Sequence, residues 1–372
     1  MSFAAAAHPA ETQGMGVRIF VPESLTSISS EGVSSSGERR GTVSVQSTTG
    51  KKIALVGTVE RAGEVEVEVV NNGRSLVVPQ MRRGYFHAQV ILSLGVNMID
   101  VRWRKPGGHW NTKAISIFRS SKIEGGVTSS YPPYTFHRQE REEQCQECHQ
   151  MSLTKAEIET GMEKSCLKCH GNMAENVFVH GPVSVGICTV CHDPRSTPNR
   201  YKVEEEDKVL CYSCHEDRKK VDEAKRLQHG PVGAGMCTVC HESHSSPFEF
   251  QLVKSKSEIC IMCHQEDADR WMGKAVLHPP FKSGNCSGCH DPHSSDYKYN
   301  LKADKAEICA LCHELPIPGH LHEAGKRPQF KVPDDFPLTE DGRTMCLTCH
   351  DPHGSDGSKL TRRVGCEGCH EK

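Results

Sequence analysis

From Val17 to Phe118, apolar and polar residues alternate with period two in short runs broken by turn residues, as strands with one wet and one buried face require. The pattern predicts strands at Val17–Val21, Thr42–Ser47, Ile53–Glu60, Glu64–Val70, Arg74–Val78, Tyr85–Leu92, Asn97–Arg104 and Lys113–Phe118. Glu64-Val-Glu-Val-Glu-Val is the cleanest alternation. Asn72-Gly73, between two alternating runs, marks a tight hairpin, because both turn positions need positive φ. So many short strands in roughly a hundred residues predict a β-sandwich over residues 17–120. Residues 1–16 read as a flexible lead and the Ser-rich stretch Ser27 to Gly37 as a loop.

Past residue 120 the alternation stops. Residues 121–136 hold Gly125-Gly126 and Pro132-Pro133 and read as a linker. From His137 to the end of the chain the predicted elements are short helical fragments, Lys155–Ser165, Glu216–Leu227 and Ala303–Glu314, several setting a Cys pair and the following His on their last turn. Hydrophobic residues are 36% and aromatics 6% of the 372, with 32 Gly and 20 Pro, a thin apolar supply for this length. Residues 137–372 therefore need something other than side chains to fill their interior.

The cysteines supply the candidate. All 20 fall into ten C-x-x-C-H units with none left over. The pairs are Cys145 and Cys148, Cys166 and Cys169, Cys188 and Cys191, Cys211 and Cys214, Cys237 and Cys240, Cys260 and Cys263, Cys286 and Cys289, Cys309 and Cys312, Cys346 and Cys349, and Cys366 and Cys369. In this signature two thiols add across the vinyl groups of a haem, making it haem c, and the next His becomes the proximal iron ligand. Zinc sites, disulfide frameworks and thioredoxin-like pairs do not demand a His after every second Cys. The proximal ligands are then His149, His170, His192, His215, His241, His264, His290, His313, His350 and His370, one for each of ten haems.

The units come in pairs. His229, Cys237 and Cys260 recur 49 residues later as His278, Cys286 and Cys309. Five two-haem repeats follow. Four begin at His137, His180, His229 and His278, each eight residues before its first Cys; the fifth carries Cys346 and Cys366 behind an insertion around Pro316 to Glu340. Nine further His lie in residues 137–372: His137, His180, His229, His244, His278, His293, His320, His322 and His353. Their recurrence makes them expected distal ligands, and the His three residues after a proximal ligand (His244, His293, His353) is expected to serve an adjacent haem. Ser152 and Arg195 stand at that position in repeats 1 and 2, and Leu338 replaces the upstream His of repeat 5. Nine donors for ten irons leave one short. Candidates for the tenth are His8, His87, His109, Met151, or a His from another subunit; the alternative is that one haem is five-coordinate, as a reductase requires.

On the His-Gly-Pro and His-Pro-Pro starts, Cys289-His-Asp-Pro-His293, Cys349-His-Asp-Pro-His353 and Cys240-His-Glu-Ser-His244, residues 137–372 resemble the doubled C-x-x-C-H multihaem cytochrome family. The resemblance implies a mostly irregular, short-helix domain folded around its haems, carrying electrons in a periplasm, an outer-membrane conduit or an extracellular appendage. Gly84-Tyr-Phe-His-Ala-Gln-Val-Ile-Leu-Ser-Leu-Gly-Val-Asn-Met-Ile-Asp-Val resembles bacterial immunoglobulin-like modules, which implies structural, adhesive or assembly work. The expected activity is electron transfer rather than catalysis. A multihaem reductase of nitrite, hydroxylamine or a sulfur oxyanion is the alternative.

Haem attachment of this kind takes place outside the cytoplasmic membrane, so the protein is expected to be exported, to the outer-membrane surface or beyond, with the periplasm as second choice. Its opening Met-Ser-Phe-Ala-Ala-Ala-Ala-His has neither a charged n-region nor a full apolar h-region. No apolar run is long enough for a membrane span. A net charge of −2 gives no sign of a nucleic-acid partner. Expected partners are other redox proteins or an extracellular electron acceptor, and copies of the chain itself in an oligomer or filament.

Overall fold

A computed structural model describes residues 17–21, 45–48, 50–59, 65–76, 80–82, 84–120, 131–146, 149–203, 205, 207–315, 317, 320, 324–328, 332, 334 and 336–362. His8, the Ser-rich loop, Cys148, His322, Cys366, Cys369 and His370 lie outside them. The chain divides into two compact units: Met1–Ser152 with Asp193–Lys202, and Leu153–His192 with Val203–Lys372.

The first unit is built from two sheets. One orders β1 (Val17–Val21), β3 (Lys52–Val59), β7 (Tyr85–Ile91) and β6 (Gln80–Arg82) as β1-β3-β7-β6. The other orders β2 (Val45–Thr48), β9 (Asn111–Arg119), β8 (Gly95–Arg104), β4 (Glu66–Asn71) and β5 (Arg74–Leu76) as β2-β9-β8-β4-β5. Pairing is antiparallel except between β2 and β9. The alternation in sequence becomes burial. Ile53, Leu55, Val59, Phe86, Ala88 and Val90 point inward from one sheet, and Val67, Val69, Ile99, Val101, Ile115 and Ile117 from the other, into a single core. At about 1.5–3 kcal/mol per buried large apolar side chain, that core is enough to hold two sheets face to face.

The hairpin at Asn72-Gly73 forms as its composition requires, with φ of 49° and 77°. Asn97 is fully buried and closes the β7–β8 crossover: its side chain accepts the Ser93 N–H at 2.9 Å and donates to the Ser93 carbonyl at 2.8 Å. Strand β6 is additional to the expected set. Tyr131–Tyr134, within the stretch expected to be linker, docks on this unit. The Ser47 N–H donates to the Pro132 carbonyl at 2.8 Å, and the Tyr134 hydroxyl donates to the Ala54 carbonyl at 2.7 Å.

The second unit has few long elements. The expected helix Lys155–Ser165 is split into α2 (Lys155–Thr160) and α3 (Lys164–His170), after α1 (Gln139–Cys145) of the first unit, because Gly161 takes φ 66° and ends α2 with a left-handed cap. Glu216–Leu227 shortens to α6 (Glu216–Ala224), and Ala303–Glu314 keeps only a 3-10 turn at Ile308–Leu311. The longest helix of the unit among the described residues, α9 (Ile261–Met272), begins at its Cys pair instead of ending there. The remaining pieces are α4 (Gly181–Ser184), α5 (Asp207–Tyr212), α7 (Gly230–Gly233), α8 (Cys237–Cys240), α10 (Pro279–Lys282) and α11 (Cys346–Cys349).

Candidate functional site

Each described C-x-x-C-H segment closes on itself in one helical turn. The backbone N–H of the His donates to the carbonyl of the first Cys, at 2.9 Å for His149, His215, His313 and His350 and at 3.0–3.1 Å for His192, His241, His264 and His290. One turn sets residues i, i+3 and i+4 on a common face, so both thiols and the imidazole share a side. The way in is shaped by the preceding residues. His180, His229 and His278 cap α4, α7 and α10, whose first turns hold Pro. Gly186, Gly235 and Gly284, at φ 70–75°, then turn the chain into the Cys pair. Buried Glu163 accepts the Cys188 N–H and the Thr189 hydroxyl, and Asp207 accepts the Thr238 N–H at 3.0 Å, so acidic side chains anchor the start of two of these turns.

The imidazoles are arranged in opposed pairs. His180 faces His215, His229 faces His264 and His278 faces His313, with ring centroids 6.1–6.2 Å apart and planes within 19–23°. His244 faces His192, His293 faces His241 and His353 faces His290, at 6.0–6.1 Å and 8–12°. His320 faces His350 at 5.9 Å and 50°. An ion bound about 2 Å from one nitrogen of each ring, with each centroid roughly 1 Å behind its nitrogen, sets centroids about 6 Å apart. Each pair would hold an iron between its two imidazoles.

Sequence reasoning identified these His but not the pairing, and the pairing has a rule. An upstream His faces the second proximal His of its own repeat. The His that follows a proximal ligand by three faces the first proximal His of the preceding repeat. A small antiparallel ladder enforces both at once. β10 (Phe178–Val179) pairs with β12 (Ser245–Ser246), β11 (Leu227–Gln228) with β14 (Ser294–Ser295), and β13 (Val276–Leu277) with β15 (Gly354–Ser355). Beside each ladder the upstream His donates its N–H to the carbonyl of the other class: His180 to His244 at 2.9 Å, His229 to His293 at 2.8 Å, His278 to His353 at 3.0 Å. Two imidazoles destined for two sites of one repeat are thus held on adjoining backbones. The buried Ser in each ladder was the available signal. Ser246, Ser295 and Ser355 accept N–H groups from Phe248, Tyr297 and Gly357 and donate to the carbonyls of Leu252, Leu301 and Thr361.

The loop so fastened also orients the proximal ring. Phe250, Tyr299 and Lys359 sit at positive φ, and their carbonyls meet Nδ1 of His241, His290 and His350 at 2.8, 2.8 and 2.9 Å. Nδ1–H donates there, leaving Nε2 as the free donor for a metal. Burial holds His180, His229, His293, His350 and His353 below the ordinary His range, which favours the neutral imidazole that ligates. Trp271 and Phe281 pack on His353, with ring centroids 4.3 and 5.3 Å away.

The thiols adjoin one another in a regular alternation. Between repeats the first cysteines share a hydrogen bond: Cys166 with Cys188, Cys211 with Cys237, Cys260 with Cys286, and Cys309 with Cys346. This contact raises Cys211, Cys260 and Cys309 and lowers their partners. This holds Cys237 at about 7 and Cys286 and Cys346 at about 6, while burial pushes Cys188 up to about 12. Within repeats it is the second cysteines that lie close. Burial first, then the charge of Cys214, Cys263 and Cys312, raises Cys191, Cys240 and Cys289. Eight successive C-x-x-C-H units, from Cys166 to Cys346, therefore have neighbouring cysteines without a break in the series. Among the described residues no three His, Cys, Asp or Glu side chains gather as a zinc site would require.

Other candidates belong to the first unit. His137 belongs to the first unit, where its Nδ1 meets Glu142 at 2.7 Å and its ring lies edge-on to Tyr201 at 5.1 Å. His149 is exposed and faces no imidazole among the described residues. Arg195, where the repeat pattern places a His, is exposed and bonded to Asp193 at 3.1 Å. His87 on β7 and His109 between β8 and β9 are exposed and likewise face no imidazole among the described residues. Met151 is half-buried.

A family model for the doubled CXXCH motif matches residues 180–220, 229–269, 278–315 and 337–372. No curated protein matches the chain. Among solved structures, the fibronectin(III)-like modules of Clostridium thermocellum CbhA match over 28% of this chain and 98% of theirs, at 12% identity and a TM-score of 0.20. The Bacteroides ovatus mixed-linkage glucan protein SGBP-B, solved with a heptasaccharide, matches over 21% of this chain and 20% of its own, at 9% identity and a TM-score of 0.18. An Ig complex of titin M10 and obscurin-like 1 matches over 21% and 85%, at 16% identity and a TM-score of 0.17. The paired motifs mark attachment of haem c and a multihaem cytochrome that transfers electrons. Among the described residues no helix is long and apolar enough to cross a membrane.

Proposed function

We propose that this chain is a ten-haem electron conduit in which most irons are closed by two His. The observation that carries this reading is the gapless alternation of neighbouring cysteines from Cys166 to Cys346, which makes successive sites neighbours in space as well as in sequence. Haem c supplies a reversible one-electron couple at each site, tuned by axial ligand, burial and hydrogen bonding. The chain's own residues hold the row. The C-x-x-C turns attach it, the ladders beside His180, His229 and His278 set paired imidazoles in place, and the Phe250, Tyr299 and Lys359 carbonyls orient the proximal rings. His137 is the distal donor of the first repeat by its spacing, and His322 and His370 are assigned by the sequence pattern alone. An exported location, at the outer-membrane surface or outside the cell, suits a row far longer than a soluble shuttle needs, with redox proteins or an external acceptor at its ends.

Replacing Cys260 and Cys263 by Ser removes a site in mid-row. Holoprotein attached to an electrode at one end should then deliver electrons to a soluble acceptor far more slowly than wild type. The Cys145/Cys148→Ser variant, lacking a terminal site, should lose much less. Equal losses in the two variants would refute a row.

One observation favours a second reading. His149 has no facing imidazole among the described residues, and Arg195 occupies the donor position. An open iron there is what a nitrite, hydroxylamine or sulfur-oxyanion reductase needs, whereas a His from a second copy would close the site and link chains into a filament. A high-spin component in the holoprotein spectrum supports the first. A wholly low-spin spectrum together with concentration-dependent assembly supports the second.

A further inference from the structure

We infer that Glu142 is a positioning residue that makes His137 an unusually strong donor and so lowers the reduction potential of the haem it closes. The inference rests on the reading above that His137 is an axial ligand.

The contrast lies in what holds Nδ1. His229 meets the carbonyl of Pro292 at 3.0 Å, and His241, His290 and His350 meet carbonyls at 2.8–2.9 Å. All four partners are neutral. The carboxylates nearest His244, His264 and His353 stand at 3.5–3.9 Å, beyond a good hydrogen bond. His137 differs: Nδ1 lies 2.7 Å from Oε1 of Glu142, a carboxylate only 2% exposed. Glu142 is on α1, five residues downstream, and its second oxygen is ion-paired with Arg200. Arg200 is held in turn by the Tyr201 hydroxyl at 3.0 Å and the Pro194 carbonyl at 3.3 Å. All of these residues lie in the first unit.

A buried carboxylate that accepts from Nδ1–H draws the proton toward itself and leaves the ring closer to an imidazolate, a more basic ligand at Nε2. A more basic ligand stabilises the oxidised iron, which carries the extra positive charge, over the reduced one. Arg200 opposes this by drawing the carboxylate's charge the other way. Removing the two partners should therefore move the potential in opposite directions, which loss of structure alone would not do.

The test is a spectroelectrochemical titration of the full haem-loaded protein. Glu142→Gln should raise the reduction constant of one haem about tenfold, a shift of about 60 mV for one electron, and leave the rest unmoved. Arg200→Gln should lower one component instead. If Glu142→Gln loads haem poorly, Glu142→Asp with Arg200→Gln carries the same comparison, Glu142→Asp raising the component less. Shifts of the same sign in the Glu142 and Arg200 variants, or no shift in either, overturn the inference. His137→Ala separates the two levels. One haem turning high-spin keeps the ligand reading even if the Glu142 effect fails, whereas every haem staying low-spin overturns the ligand reading and the inference with it.

Discussion

His353 faces His290 with ring centroids 6.1 Å apart and planes 12° apart, although His350, three residues before His353, is itself the proximal candidate of a different site. The crossing follows from the ladder: Gly354–Ser355 pairs with Val276–Leu277, so the backbone that carries His353 lies beside repeat 4. His353→Ala should convert one haem from low to high spin, read by electron paramagnetic resonance. In a Cys286/Cys289→Ser background the same change should add no high-spin signal, because the site that His353 serves is already gone. A new high-spin signal in that background would assign His353 to the Cys346 site.

Haem content should be ten per chain by pyridine haemochrome and intact mass, and nine in Cys366/Cys369→Ser. Protein made without haem attachment should keep the sandwich. Its buried apolar cluster lies wholly in residues 19–117, and no comparable cluster stands in the second unit among the described residues. Haem-free chain is therefore expected to show a β-type circular dichroism spectrum and a cooperative melt, with rapid proteolysis confined to residues beyond 152.

Gly284 has φ 70°, and a Cβ there would press on the Cα and Cβ of Ser257. Gly284→Ala combines left-handed strain of roughly 1–2 kcal/mol with a backbone clash and should lower the melting temperature of the holoprotein. Gly181→Ala, at a position with open space and no positive φ, should leave it within error.

Glu157 is held well down, to about 2, from an ordinary value of 4.5. The Thr154 N–H at 2.9 Å, the Ser165 hydroxyl at 2.8 Å and the Ser165 N–H all donate to its carboxylate. A depressed carboxylate stabilises the fold above its unfolded value and loses that contribution as pH falls through the folded one. The stability gap between wild type and Glu157→Gln should be full above pH 4.5 and shrink as pH drops toward 2, measured by thermal melts across that range. A gap independent of pH would show that the Gln variant fails for steric reasons.

Much of the sandwich was legible because one-sided burial leaves a period of two. Val17–Val21 forms as predicted, and Asn72-Gly73 turns where its backbone freedom places it. The short β6 strand was not legible, since three residues carry no periodicity. In the second unit the helical reading of Ala303–Glu314 failed, and α9 went unforeseen although its apolar spacing is visible in retrospect. Propensity is weak evidence where short segments are arranged around attachment sites rather than an apolar stripe.

What the sequence determined by itself is the chemistry: ten C-x-x-C-H units, no spare Cys, and a 49-residue period that singled out His180, His229 and His278. Covalent attachment is local, and local chemistry is written in adjacent residues. Which His faces which was decided only by the tertiary structure. His244 and His192 are brought together by a two-residue ladder between Phe178–Val179 and Ser245–Ser246, contacts that span more than sixty residues and leave no periodic trace. The same holds for His137 and Glu142, where a carboxylate five residues away becomes a buried partner because Arg200, far along the chain, folds back onto it.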